Sequence, residues 1–173
     1  MKTLRIFLLL CILGFSYSGN SQSRFYAQTM DNQNISLCDS SKCIMIYYES
    51  GGCSLCSKVL FSFCDYFVKK NRNIQFLVMI KGSINDVLGM RSKTTNLQNN
   101  FPNMNFKIIY DIEDNQRKTF YKKYNISTFP AVFFIDNKNN HIKHIPYKKI
   151  FKNSELIEVS NYLKTFANDF IKK

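Results

Sequence analysis

Two cysteines separated by two residues carry the strongest chemical signal in this sequence. Cys53 and Cys56 follow a short apolar run and open a stretch whose apolar residues recur at helical spacing. The attacking species in disulfide exchange is a thiolate, and a helix N-terminus favours an anion through its dipole and its unpaired N–H groups. We therefore predict that Cys53 attacks a disulfide and that Cys56, one turn along the helix, resolves the mixed disulfide.

A proline at the entrance to a later buried strand is the second candidate element. Thr128, Phe129 and Pro130 lead into the apolar run at 131–135. Proline is permitted at the first position of a strand, and most X–Pro bonds are trans, so Pro130 alone indicates little. Its place between a predicted helix and a buried strand, in a chain that also holds the dithiol, makes it a candidate for the same site.

The residues leave two other interpretations of the C-x-x-C motif open, a static disulfide and half of a zinc site. A zinc site needs a second pair of similar spacing, whereas Cys38 and Cys43 have four residues between them; we expect no metal. Cys38 and Cys43 flank a turn and are a candidate structural disulfide, with two unpaired core thiols as the equal alternative. Cys64 is expected to pack in the core.

Strands and helices alternate along the rest of the chain. Such alternation predicts parallel strands with helices on both faces of the sheet, and a closing hairpin, whose turn at 137–140 has Asn residues suited to positive φ, adds an antiparallel edge. The predicted order is a short strand ending near residue 37, strand 44–48, helix 54–70, strand 74–80, a short helix 84–90, strand 106–110, a helix capped by Asp114 and running through Tyr124, strand 131–135, strand 141–147, and a last helix capped by Ser154 with Leu156, Val159, Leu163 and Phe166 on one face.

The N-terminus has the pattern of an export signal. Lys2 and Arg5 precede an apolar stretch at 6–15, and small residues follow it. About ten apolar residues are fewer than the ~20 that cross a bilayer, so an uncleaved anchor is the less favoured alternative. We predict a signal peptide over 1–20, a single domain over 24–173, and a periplasmic or extracellular location, in which disulfides persist.

Length and composition limit the classes of protein that this chain can represent. Its 173 residues, 45% of them apolar, suit one domain with a substantial core. The formal net charge is +12, but the lysines are scattered, and no basic stripe or nucleic-acid motif is present. We expect a solvated basic surface that favours acidic partners or anionic membrane surfaces, and no nucleic-acid partner.

The two motifs together resemble the thioredoxin superfamily. Residues 52–56 (GCSLC) and 127–136 (STFPAVFFID) carry the resemblance, which extends over about residues 30–170. It implies an α/β, thioredoxin-like three-layer fold in which a central mixed sheet has helices on both faces. It also implies that Pro130 is cis and packs beside the dithiol, and that the Phe129 backbone, with Thr128 beside it, binds a substrate chain as an added strand.

The interval between the motifs is longer than in a minimal thioredoxin. It holds an extra strand and helix, roughly residues 74–105, which with the export signal is similar to the exported TlpA-like and AhpC/TSA-related branch. The resemblance implies an exported thiol–disulfide oxidoreductase that reduces or exchanges disulfides in envelope proteins. We expect it to act as a monomer without a bound cofactor, together with a redox partner protein, and to touch a membrane only through an uncleaved signal.

Three positions depart from the family pattern. Gly52 replaces the aromatic residue usual before the first cysteine, and Ser54-Leu55 replaces Gly-Pro or Pro-Pro. Tyr47 stands where thioredoxins keep a buried carboxylate that handles the proton of the resolving thiol. Strand alternation places Glu49 on the same face as Tyr47, so Glu49 is a candidate substitute, with a surface glutamate as the alternative.

Two other functions stay open on the sequence. One is a non-enzymatic binding module of the same fold that uses the groove near Phe129 and keeps a fixed Cys53–Cys56 bridge. The other is a peroxide reductase, because Ser50 and Cys53 match the Thr/Ser-x-x-Cys part of a peroxiredoxin site. The proline expected four residues before Ser50 is Ile46 here, and no matching arginine is evident.

Overall fold

The computed structural model of the chain describes residues 26–28, 34–102, 106–113, 120–152 and 158–172. The predicted signal peptide over 1–20 lies outside the described residues. The predicted helix caps Asp114 and Ser154 lie outside them as well, as does Leu156.

The described residues form seven strands, five α-helices and one 3-10 turn. In chain order they are β1 (Tyr26–Gln28), β2 (Asn34–Ser36), β3 (Lys42–Glu49), α1 (Ser54–Lys70), β4 (Ile74–Ser83), the 3-10 turn (Ile84–Asp86), α2 (Val87–Asn100), β5 (Phe106–Glu113), α3 (Phe120–Lys123), β6 (Ala131–Asp136), β7 (His141–Ile145), α4 (Tyr147–Ile150) and α5 (Asn161–Lys172). Their order agrees with the predicted one, except that the sequence did not indicate β1 or the short helix α4, and that the helix predicted over 84–90 divides into the 3-10 turn and the beginning of α2.

Five of the strands form one mixed sheet in the order β5-β4-β3-β6-β7. β3, β4 and β5 are parallel, whereas β6 runs antiparallel to β3 and β7 runs antiparallel to β6. β1 and β2 pair with each other as a separate two-stranded sheet. The predicted central mixed sheet with an antiparallel edge is confirmed, and the predicted extra strand and helix over 74–105 correspond to β4 and α2.

β3 is the middle strand, and its six central residues are buried because both faces of the sheet are covered. Ile46 faces one side, where Leu60 of α1 belongs to the same apolar cluster. Met45 and Tyr47 face the other side, in a cluster that includes Phe120 of α3. Each large apolar side chain buried in this way contributes about 1.5–3 kcal/mol, and the clusters confirm helices on both faces.

α1 has 17 residues and extends from the candidate dithiol along one face of the sheet. Its last turn carries Lys69 and Lys70, whose charges complement the negative end of the helix dipole. The helix ends where the Asn71 N–H donates to the Val68 carbonyl at 2.9 Å. Its buried residues, which lie on one face of the helix, are Cys56, Leu60, Phe61, Cys64 and Phe67. Among the described helices, none is both long and apolar enough to span a bilayer.

The last helix begins later than the sequence predicts. Val159 pairs with Phe151 in an isolated antiparallel bridge, so its predicted place on a helical face was wrong. The Ser160 hydroxyl accepts a hydrogen bond from the Leu163 N–H at 3.1 Å and caps α5. The error arose because the spacing of a few apolar residues fits a helical turn and a short extended segment equally well.

α2 is longer than the predicted helix over 84–90. It covers 14 residues, but only Met90 and Leu97 are buried. The helix makes almost four turns, so two buried residues do not form a continuous apolar stripe. The periodicity of apolar residues therefore could not indicate the whole helix.

Leu60→Ala and Leu88→Ala form a matched pair of helix substitutions that tests this packing. Leu60 is fully buried in α1, whereas Leu88 in α2 is 80% exposed. We expect Leu60→Ala to lower the free energy of unfolding by about 2–5 kcal/mol, because burial is lost and a cavity remains. Leu88→Ala should change it by less than about 0.5 kcal/mol. Urea unfolding followed by circular dichroism measures both, and equal losses would contradict the arrangement.

Candidate functional site

The turn between β3 and α1 sets the position of the candidate dithiol. The Gly52 N–H donates to the Glu49 carbonyl at 2.9 Å and closes the turn. A Cβ added at Gly52 would lie 3.1 Å from the same carbonyl oxygen, which is tighter than ordinary contact. A residue without a side chain therefore suits the last position before Cys53, where the thioredoxin superfamily usually has an aromatic residue.

Cys53 is the N-cap of α1, and its sulfur takes part in the capping. The sulfur accepts a hydrogen bond from the Cys56 N–H at 3.2 Å. The side chain of Cys53 is exposed to solvent, and the first turn of the helix contains no acidic residue that would oppose a thiolate. A hydrogen bond from the Cys56 side chain, with others from the backbone of Cys56 and Leu55, lowers the pKa of the Cys53 thiol.

Cys56 has the opposite environment. It is only 2% exposed, and burial, with the hydrogen bond to Cys53, raises the pKa of its thiol. The Tyr147 hydroxyl lies 3.7 Å from the Cys56 sulfur, and this contact acts against the rise in the Cys56 pKa. The structure thus places an accessible thiol of lowered pKa beside a buried thiol of raised pKa.

Pro130 lies at the same edge of the sheet as the dithiol. The bond between Phe129 and Pro130 is cis. Ala131, the next residue, is opposite Tyr47 in the antiparallel β3–β6 ladder. Pro130 therefore lies beyond Tyr47, near the C-terminal end of β3, and the turn to Cys53 begins at that same end. Pro130 is buried, Phe129 is half-buried and Thr128 is exposed.

Aromatic and charged side chains that the sequence did not indicate hold the Phe129 ring in place. The Tyr47 ring packs edge-on against the Phe129 ring at 5.2 Å between centroids, and the Tyr47 hydroxyl donates to the Asp111 carboxylate. Lys81 Nζ lies 5.2 Å from the centre of the Phe129 ring and pairs with Glu49 at 2.9 Å. These contacts fix the half-buried ring that precedes Pro130.

These contacts also bear on whether Glu49 replaces the buried carboxylate that, in thioredoxins, handles the proton of the resolving thiol. The Glu49 side chain is 45% exposed and is paired with Lys81, which favours the alternative of a surface glutamate. The more buried carboxylate is Asp111, and burial raises its pKa. Tyr47, its partner, belongs to the apolar cluster on the face of the sheet opposite the one that contains Cys56. The only sequence signal for Asp111 was an acidic residue within an apolar strand.

The other cysteines are separated from the dithiol. Cys38 and Cys43 form a disulfide with a Cα–Cα distance of 5.9 Å, and both are buried at the beginning of β3. Cys64 is a free thiol that is 1% exposed, and burial raises its pKa. The described residues contain no group of three or more metal-ligating side chains.

Ser50, which matched part of a peroxide-reducing motif, is engaged elsewhere. Its hydroxyl donates to the Asp86 carboxylate, and its N–H donates to the Lys81 carbonyl at 3.0 Å. Ser50 therefore ties the end of β3 to the 3-10 turn after β4, and the geometry gives no separate support to a peroxide site.

Comparison with known proteins shows the fold. No family model and no curated protein matches the chain. A secreted disulfide oxidoreductase of Mycobacterium tuberculosis, homologous to E. coli DsbE, is similar in structure, with 14% identity, a TM-score of 0.54, and 90% of this chain and 100% of that chain covered. A thiol-disulfide isomerase from Corynebacterium glutamicum has 10% identity and a TM-score of 0.58, covering 86% and 93%.

A thioredoxin-like protein from Aeropyrum pernix is also similar, with 10% identity, a TM-score of 0.55, and 98% of this chain and 99% of that chain covered. The alignment with that structure spans nearly the whole chain. Likeness at such identity shows the fold alone. The chain has an α/β, thioredoxin-like fold, as its two motifs predicted.

Alkylation of the reduced protein tests the difference between the two thiols. We expect iodoacetamide to modify Cys53 first, with a midpoint pH below the ~8.5 of an ordinary thiol, because hydrogen bonds stabilise its thiolate. Mass spectrometry at graded pH measures the site and rate of modification. Cys56→Ala removes one of those hydrogen bonds and should move the midpoint upward, while buried Cys64 stays unmodified. Initial reaction at Cys56, or a Cys53 midpoint at or above 8.5, would contradict the geometry.

Proposed function

We propose that this chain is a thiol–disulfide oxidoreductase that uses Cys53 and Cys56 to reduce or exchange disulfides in proteins. The proposal is carried by one observation, the exposed Cys53 of lowered pKa beside the buried Cys56 of raised pKa. An exposed thiolate can attack a partner disulfide. A buried neighbouring thiol cannot reach a separate substrate, but it can attack the mixed disulfide that forms on the exposed cysteine, which is the resolving role.

The reaction consists of two exchanges. The Cys53 thiolate attacks one sulfur of a substrate disulfide; that S–S bond breaks, a mixed disulfide forms, and the leaving thiolate takes a proton from solvent. Cys56 then gives its proton to solvent and attacks the Cys53 sulfur, so that the mixed disulfide breaks and a Cys53–Cys56 disulfide forms, while the second substrate thiolate leaves and takes a proton from solvent. The substrate gains two electrons, and a dithiol partner protein returns the chain to its reduced form.

Tyr147 is proposed to assist the second exchange. Its hydroxyl lies 3.7 Å from the Cys56 sulfur, close enough for a hydrogen bond to a developing thiolate. Its contact lowers the pKa of Cys56 against the effect of burial. Tyr147 thereby stabilises the charge that must form on Cys56 before the mixed disulfide can be resolved.

We propose that substrates bind along the edge formed by Thr128, Phe129 and Pro130. Support comes from the position of these residues at the end of the sheet that carries Cys53 and from the contacts of Phe129 with Tyr47 and Lys81. A substrate chain that pairs with the Phe129 backbone as an added strand would be held in a fixed orientation.

The proposal includes export, with a signal peptide over 1–20 and a functional domain over 24–173. Its support is the charged and then apolar pattern of the first residues and the Cys38–Cys43 disulfide, which suits an oxidising compartment. A periplasmic or extracellular location would supply protein disulfides as substrates.

Reduction of insulin by dithiothreitol, followed by turbidity, tests the proposed function. We expect the chain to accelerate the reaction and Cys53→Ser to abolish the acceleration, because the attacking thiolate is lost. Cys56→Ser should stop turnover, and the prereduced variant mixed with insulin without dithiothreitol should accumulate a mixed disulfide on Cys53, which nonreducing electrophoresis detects.

Cys64→Ser is the matched control, because the same substitution is made at a thiol of the same helix that takes no part in the exchange. It should keep the wild-type rate. If the wild type and Cys53→Ser reduced insulin at the same rate, the chain would not act through this dithiol.

A further inference from the structure

A pocket of about 310 Å³ lies beside the dithiol, between α1 and α2. Aromatic rings form part of its wall, with Tyr48 and Phe61 edge-on at 5.8 Å between centroids and Phe61 also 5.8 Å from Phe101. The volume is at the lower end of the range for ligand pockets, ~300–1,000 Å³. It suits one large side chain together with the neighbouring part of a peptide.

Positive charge and amide groups complete the lining. Lys58 of α1 and Lys93 of α2 reach the pocket from opposite sides, and Asn96 and Asn100 add side-chain amides. The described residues that line it include no Asp or Glu. An aromatic wall combined with two ammonium groups is complementary to an aromatic side chain next to a carboxylate.

The pocket adjoins the path that a substrate would follow. Gly52 and Ser54, on either side of Cys53, belong to its lining. It lies on the β4 side of β3, because α2 contacts β4, whereas Pro130 lies on the β6 side. A chain held at Phe129 with its disulfide at Cys53 would therefore extend toward the pocket.

We propose that this pocket is a specificity subsite that receives an aromatic side chain and an adjacent acidic side chain of the disulfide-bearing substrate. The inference rests on the proposed function for its substrate, a protein disulfide. Phe61 and Phe101 contact the aromatic ring of the bound segment, and Lys58 and Lys93 pair with its carboxylate.

Two model peptides, each with one disulfide, provide the test. They are identical except beside one half-cystine, where one has Phe-Glu and the other has Ser-Gln. The rate constants for their reduction by the prereduced full chain are compared as a ratio, so a general loss of activity cancels. We expect wild type to prefer the Phe-Glu peptide on the order of tenfold, the effect of about one buried aromatic side chain.

The subsite variants should reduce that preference for separate reasons. Lys58→Gln/Lys93→Gln removes the charge complement, and Asn96→Trp fills the pocket. Each should lower the ratio about threefold or more. Lys143→Gln/Lys164→Gln is the matched control, because it removes the same charge at exposed lysines outside the pocket and should keep the wild-type ratio.

A redox-independent measurement separates this inference from the proposed function. Fluorescence anisotropy follows binding of the labelled, reduced and S-methylated peptides to the full chain carrying Cys53→Ser/Cys56→Ser. Preferential binding of the Phe-Glu peptide with no turnover by wild type would leave the subsite standing and overturn the oxidoreductase. Reduction of both peptides at equal rates, or an unchanged ratio in all subsite variants, would overturn the subsite while leaving the enzyme. Failure of both binding and reduction would overturn both.

Discussion

The hydrogen bonding of the Cys53 sulfur at the first turn of α1 is the interaction on which the rest of the site depends. The sulfur occupies the place of a capping oxygen and accepts the Cys56 N–H. The backbone thus stabilises the same charge that the chemistry requires, and the cap is strengthened when the thiol ionises. The tight turn at Gly52 places this cap at the end of β3, where it is open to solvent.

β3 separates the structural disulfide from the pair of free thiols, because the two pairs lie at opposite ends of this strand. The Cys38–Cys43 disulfide lies at the beginning of β3 and is buried, whereas the free Cys53 and Cys56 follow its end. The eight residues of β3 span roughly 23 Å at about 3.3 Å per residue. A thiolate at Cys53 therefore cannot reach the buried disulfide while the sheet is intact, so the two pairs stay chemically independent.

The sequence predicted the elements whose signals are local and failed where contacts are distant. β3, β4 and β6 were predicted because strands buried on both faces are continuous apolar runs, and Cys53 was placed at a helix N-terminus because α1 has a dense apolar stripe. The late start of α5 at Ser160 was missed, because sparse apolar residues allow more than one local structure. The pairing of Tyr47 with Asp111, 64 positions apart, and the pocket between α1 and α2 depend on packing that no local pattern reveals.

The most direct test of the account is the equilibrium of the full chain with thiol–disulfide buffers of graded ratio, quenched by acid and alkylation and mapped by mass spectrometry. The account predicts a single two-electron transition in which a bond forms between Cys53 and Cys56, while Cys38–Cys43 stays bonded and Cys64 stays free throughout. Failure of the Cys53–Cys56 bond to form at any ratio, or formation of a bond between Cys53 and another cysteine in its place, would contradict it.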